Sequence, residues 1–212
     1  MELREAIRTR RSIRKYKDKH VEWDKIATIL DAGRLAPTAG NIQNWKFITV
    51  QKETSKKKIA KACLGQDWIS TAPAIIAVTA EPMKAHRFYG IRGERLYTIQ
   101  SFAAAIQNML LTAHDLGLGA CWVSAFDEEL MASALILPEQ ARTYAVIPIG
   151  YPAEKPEQPP KYRIEHVVWF ENWGNKRRIP KYGQYSVEVK NHVDKGKTAF
   201  KKLAETLKKQ KK

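Results

Sequence analysis

The chain has 212 residues, 44% of them hydrophobic, with two cysteines and five histidines. That is enough for one domain with a substantial core. It excludes a disulfide scaffold, and Cys63 and Cys121 lie far apart without metal-ligand spacing. The formal charge of +15 is uneven: 13 Lys and Arg against 3 Asp and Glu lie from Gly174 onward, so +10 of it belongs to the tail. No helix-turn-helix, zinc-finger or aromatic RNA-binding signature accompanies those lysines. They read as a solubilising end, with a basic nucleic-acid-binding protein as the non-enzyme alternative. No apolar stretch of about 18 residues and no secretory leader is visible, so a cytoplasmic protein without membrane association is expected.

In chain order, Glu2 to about Thr9 is expected to be a short helix, with Leu3, Ala6 and Ile7 on one face. Trp23 to Arg34 reads as a second helix, striped by Ile26, Ile29, Leu30 and Gly33, that stops before Ala36-Pro37. A polar loop follows from Thr38 to Asn44. Phe47 to Gln51 reads as a strand, and Lys56 to Leu64 as a basic helix that Thr54 or Ser55 would cap. Gly65 to Trp68 breaks it.

Ala74 to Ala80 is a continuous apolar run of strand length, as for a strand covered on both faces. Arg95 to about Leu116 is expected to be the central helix. Leu96, Ile99, Ala103, Ile106, Leu110 and Ala113 form one stripe, and Phe102, Met109 and Leu116 a second. Two stripes suit either a buried core helix or one that faces its own core and a partner subunit together. Gly117 to Val123 reads as a helix C-cap running into a short strand. Asp127 to Leu135 is a short helix. Tyr144 to Gly150 is a strand in which Pro148 would be awkward in a central ladder. Pro152 to Pro160 is extended, and Ile164 to Trp173 is too aromatic for free linker. Beyond it, Tyr182 to Val189 alternates like a strand, and Ala199 to Leu207 carries a thin stripe of Phe200, Leu203 and Leu207.

Arg8 to Tyr16 concentrates chemistry, with four arginines and one lysine around the hydroxyl of Ser12. Arginine forks suit bidentate capture of phosphate, although a run of cations is also what a solvated basic face looks like. Phosphate loops of the Gly-x-x-x-x-Gly-Lys type, Gly-x-Gly-x-x-Gly, Gly-x-Ser-x-Gly and His-Glu-x-x-His are all missing. A phosphate-shaped arginine cluster and amide-rich loops, with no nucleophile, are what a cofactor-bearing enzyme presents, because the cofactor carries the reaction.

Five motifs then occur in a specific order: Arg-Arg-Ser-Ile-Arg at 10–14, Ala-Pro-Thr-Ala-Gly-Asn-Ile-Gln-Asn-Trp at 36–45, Gly-Leu-Gly-Ala-Cys-Trp at 117–122, Ile-Gly-Tyr-Pro at 149–152, and Arg163. In this order they resemble the flavin-dependent nitroreductase family over residues 1–173. The resemblance implies an α+β fold with a central mixed or antiparallel sheet flanked by helices. It also implies an intertwined homodimer, FMN at the subunit interface, and NADH or NADPH as electron donor. It assigns Arg10, Arg11 and Ser12 to the FMN phosphate and ribityl end, and Arg14 to the flavin edge where charge builds up on reduction. Lys161 and Arg163 join the phosphate. Pro37, Thr38, Asn41 and Gln43 would come from the second subunit, Gln66 would contact the ring, and a strand at Trp122, Val123 and Ser124 would line its other face. Asn44 stands where relatives usually have proline, and Ser101 where many have an acid.

The reaction so implied is ping-pong: hydride passes from a nicotinamide to the flavin and then to an oxidised small molecule such as a nitroaromatic or quinone. Dehalogenation, enone reduction and azoline oxidation are alternatives on the same fold. The stretch Lys84 to Arg95, the candidate lid, is basic rather than mixed, which argues against a dehalogenase. Residues 174–212 are expected to form an extension that wraps the partner subunit.

Overall fold

The computed structural model describes residues 1–176. Two compact units divide the chain, the first Met1–Gln158 and the second beginning at Pro159. In the first, four strands form one antiparallel sheet in the order β1-β2-β4-β3: β1 Trp45–Val50, β2 Ala74–Ala80, β3 Gly119–Ala120 and β4 Arg142–Gly150. β2 is buried at every position. Its side chains alternate between two cores, as the strand period of two requires. Ala74, Ile76, Val78 and Ala80 face Ile26 and Ile29 of α2 (Trp23–Arg34) and Phe102, Ile106 and Met109 of α5 (Thr98–Asp115). Ile75 joins Ile59 of α3 (Glu53–Ala62) and Met131 of α6 (Glu128–Leu135) on the other face. Both faces of β2 are therefore dry. Each large apolar side chain so buried contributes roughly 1.5–3 kcal/mol.

Pro148 sits in the inner strand β4, opposite Ile75 of β2. Its carbonyl accepts from Cys121 N (3.3 Å), on the β3 side. The N–H that proline lacks would point the same way, past the end of two-residue β3, so the β2–β4 ladder loses nothing. The irregularity falls elsewhere, at a register shift between Val78 and Thr79.

Three expectations need correction. The third helix starts at Glu53, and Lys52 precedes it without a side-chain cap, so neither Thr54 nor Ser55 caps it. The central helix differs in form, because its first residues are π-helical and pass into α5 without leaving helical φ/ψ. α4 (Pro82–Arg92) and a π-helical turn, Gly93–Tyr97, take up the residues before Thr98, with Gly90 at φ 58° breaking the path. Trp122 to Ser124 is not a continuous strand, since only Val123 forms a bridge, to Val146. Along α5 the two stripes merge into one buried face of Phe102, Ala105, Ile106, Met109, Leu110 and Ala113, while Ile99 stays half exposed.

The second unit, as far as it is described, holds the short helix α7 (Ile164–Val167) and a Trp169–Trp173 ring pair at 4.0 Å. The strand and helix expected at Tyr182–Val189 and Ala199–Leu207 lie outside the described residues. No helix among the described residues is long and apolar enough to cross a membrane.

Candidate functional site

The arginine segment lies along the β3 edge. α1 (Leu3–Thr9) ends at Arg10, and the chain turns extended, with Ser12 forming a parallel bridge to Ala120 and Ile13 N donating to Ala120 O (3.1 Å). Buried Ile13 pins it to the core, and Gly119 makes the close approach possible: a Cβ there would stand 2.7 Å from Ile13 Cβ. Tyr16 OH donates to Ile13 O (2.6 Å) and reaches Pro148 O (3.2 Å). Burial pushes its phenol far above the ordinary range, so it stays a donor.

The cations themselves are not spent on acids. Among the described residues, neither Arg10, Arg11 nor Arg14 has a guanidinium ion pair. Arg11 bonds through Nη1 to Arg8 O and Arg10 O, and through Nη2 to Gln158 Oε1 (3.1 Å), yet its buried Nε has no partner. A buried, unmatched N–H on a fixed cation is costly unless an acceptor arrives. The Ser12 hydroxyl lies against the Cys121 thiol, which burial pushes up and Arg14 and Arg10 pull down. Arg14 also stacks over Trp68 at 5.9 Å, and Trp68 Nε1 donates to Gln66 Oε1 (3.3 Å). Gln66 is thus joined to the cation cluster through Trp68. Trp122 and Ser124 bond to each other, Nε1 to Oγ at 2.7 Å.

The second group is a strained polar loop. After Pro37, Thr38 Oγ1 accepts from Gln43 N (3.3 Å), and Gln43 Nε2 donates to Asn41 Oδ1 (3.0 Å). Gly40, Asn41 and Gln43 all have positive φ, at 54°, 55° and 49°. Non-glycine residues held there cost energy and concentrate at functional sites. Tyr89 of α4 packs its hydroxyl against Gly40, where a Cβ would come within 2.5 Å. Asn44, in place of the usual proline, is buried, and its Nδ2 donates to Thr98 Oγ1 (3.1 Å), tying the loop to α5. Ser101, in place of the acid, bonds back to Tyr97 O (2.7 Å). Trp45 is core.

These two groups sit at diagonal corners of the sheet. The loop enters β1 at Trp45, level with Ala80, whereas Ser12 is level with Ile149 and Ala74 beyond the opposite edge. Four strand spacings of about 4.8 Å across and six residues along β2 separate them by roughly 28 Å. Among the described residues no hydrogen bond joins the loop to the arginine segment. Lys161 and Arg163 belong to the second unit, where Arg163 precedes α7 with Nη2 3.5 Å from Glu165 Oε1. Trp68, which faces Arg14, and Glu154, which accepts from Arg14 N at 2.6 Å, join the site without any local motif to mark them.

An antiparallel sheet packed on both faces by helices, with an arginine segment at one edge that makes no guanidinium ion pair among the described residues, defines the α+β class. The sequence pattern of the nitroreductase family matches residues 7–66 and 62–151. A candidate NADH dehydrogenase/NAD(P)H nitroreductase of Methanothermobacter thermautotrophicus is 36% identical over 160 residues, 74% of this chain and 80% of that protein. An FMN reductase [NAD(P)H] of Bacillus subtilis is 26% identical over 92% of this chain and 84% of its own. The crystal structure of a candidate NADH dehydrogenase/NAD(P)H nitroreductase from Parabacteroides distasonis superposes with a TM-score of 0.71 at 29% identity, covering 80% of this chain and 97% of that one. The chain belongs to the nitroreductase family and is an oxidoreductase.

Proposed function

We propose that the protein binds FMN and passes reducing equivalents from NADH or NADPH to an oxidised small molecule, a nitroaromatic or quinone, by a ping-pong cycle. The observation that carries this reading is the arginine cradle, in which, among the described residues, three guanidinium groups make no ion pair and one buried N–H has no acceptor. A terminal phosphate supplies several strong acceptors, and Arg10, Arg11 and Ser12 are the residues to meet them. The family membership and the relatives named for FMN reduction support the same ligand.

Bound FMN would supply the two-electron chemistry, and this chain's residues would orient it. Arg14 places a fixed positive charge where reduction adds a negative one, and a preorganised charge of this kind favours the reduced state. Trp68 lies under Arg14 at 5.9 Å and is itself held by Gln66. Thr38, Asn41 and Gln43 present amides that cannot reach the same molecule within one chain. The diagonal separation of the two corners therefore supports a homodimer in which each flavin takes its cradle from one protomer and its amide loop from the other.

Titration of refolded, flavin-free protein with FMN, followed by flavin fluorescence quenching, tests the ligand. The test variant Arg10→Ala is expected to weaken FMN roughly 30-fold to several thousand-fold, the equivalent of about 2–5 kcal/mol for a truncated charged contact. Undiminished FMN affinity in that variant would remove the phosphate assignment. Colourless protein that ignores added FMN yet binds DNA with a steep salt dependence would replace the enzyme reading with a nucleic-acid module.

A further inference from the structure

A strap formed by residues 151–158 runs antiparallel to the cation segment. Lys17 N donates to Tyr151 O (2.8 Å), Ala153 N to Lys15 O (2.9 Å), and Arg11 Nη2 to Gln158 Oε1 (3.1 Å). Between these points Glu154 folds its carboxylate back on the segment. Its Oε1 accepts from both Arg14 N (2.6 Å) and Lys15 N (3.1 Å). Hydrogen bonds to an ionised acceptor are roughly twice as strong as neutral ones.

The side chain of Arg14 is exposed and has no ion pair among the described residues. A long side chain of that kind keeps much of its rotamer freedom, so its aim depends on the backbone that launches it. Trp68 guides it loosely, from 5.9 Å. Glu154 fixes the peptide N–H of Arg14 itself.

We infer that Glu154 is a positioning residue for Arg14, holding the backbone so that the guanidinium meets the flavin edge. The inference rests on the FMN reading above. It differs from a plain electrostatic role in sign. Glu154 and Arg14 act oppositely on the same neighbours, Cys121 and Tyr16, so both lie close to the cradle. Deleting a negative charge beside a group that becomes more negative on reduction raises its potential. Losing the placement of Arg14 lowers it. The two effects cannot be mistaken for each other.

The experiment is a redox titration of FMN-loaded protein against dyes of known potential, with thermal melts to confirm folding. In Glu154→Gln the amide oxygen still accepts both N–H groups and the charge is gone, so the potential should stay at or above wild type. Glu154→Ala should lower it, with the reduction equilibrium falling about tenfold, roughly 30 mV for a two-electron couple. Arg14→Ala should fall at least as far, and Glu154→Ala/Arg14→Ala no further than Arg14→Ala alone. Glu154→Asp keeps the charge but withdraws the acceptor by one methylene, so it should also fall, and it serves if Glu154→Ala does not fold. A potential at or above wild type in both the alanine and the aspartate variant overturns the inference. So does a double variant whose shift is the sum of the single shifts. Wild-type protein that takes up no FMN overturns the functional reading and this inference with it. An Arg14→Ala protein that binds FMN at unchanged potential overturns the role of Arg14 and of Glu154 while leaving FMN in place.

Discussion

Gly119→Ala probes the cradle through one methyl group. The added Cβ would lie 2.7 Å from Ile13 Cβ and Cγ1 and 2.8 Å from Cγ2, against about 3.4 Å for ordinary contact, so Ile13 must retreat by about 0.6–0.7 Å. Its side chain is buried and cannot swing into solvent. Overpacking of this kind costs about 1–3 kcal/mol. For a chain of this size each kcal/mol moves the melting temperature by roughly 2–4 °C, so a fall of roughly 2–12 °C is expected. Ile13 stands between Ser12 and Arg14, so FMN affinity should fall with stability. Gly33→Ala is the control. Its Cβ would meet Met109 Cγ and Sδ at 2.9 Å and Phe47 Cζ at 3.3 Å, and Met109 is fully buried, so this change overpacks the core away from the cradle. That variant should lose stability by a comparable amount, less the about 0.5–1 kcal/mol that alanine gains inside a helix, and still bind FMN normally. Calorimetry and FMN titration on both variants decide the matter. A Gly119→Ala protein with unchanged melting and flavin affinity would refute the argument that this close approach sets the cradle.

Asn44→Ala should cost about 1–3 kcal/mol in urea unfolding, because it deletes a buried bond to Thr98, and should weaken FMN retention by freeing the strained loop. Burial pushes the Cys63 thiol up to about 11. The folded state then holds this proton more tightly than the unfolded chain, whose thiol titrates near about 8.5. The resulting stability is complete below about pH 8.5 and lost as pH rises towards 11, which denaturant midpoints measured across that range would show. If the proposed dimer forms, truncation after Gly174 should loosen it and FMN retention together in sedimentation and fluorescence measurements, since a ligand bound only by the assembled site stabilises assembly. Loss of nucleic-acid or acidic-lipid affinity alone would assign the tail to binding instead.

Legibility in the sequence followed the range of the interactions. α2 matches its expected span, Trp23–Arg34, because its stripe and the following Ala36-Pro37 are local signals. β2 matches for the same reason, as a seven-residue run with six apolar residues, bounded by Pro73, admits little else. Thr54 and Ser55 look like caps, yet α3 begins before them at Glu53, with Lys52 ahead of it. The π-helical turn that leads into α5 has no local signal: it forms where Gly93 packs on the carbonyl of Ala85, where a Cβ would stand 2.3 Å away. The arginine cluster announced itself within nine residues. Glu154, 140 residues from Arg14 in sequence, has no local pattern to mark it.

The diagonal placement of cradle and loop has a genetic corollary. If each flavin draws on both protomers, a chain damaged at Arg10 and a chain damaged at the Thr38–Gln43 loop are each inactive alone. Co-expressed, they form mixed dimers in which both lesions fall in one site and the other is assembled from two sound corners. Two null alleles would then complement each other, and the mixed dimer would carry one working flavin instead of two.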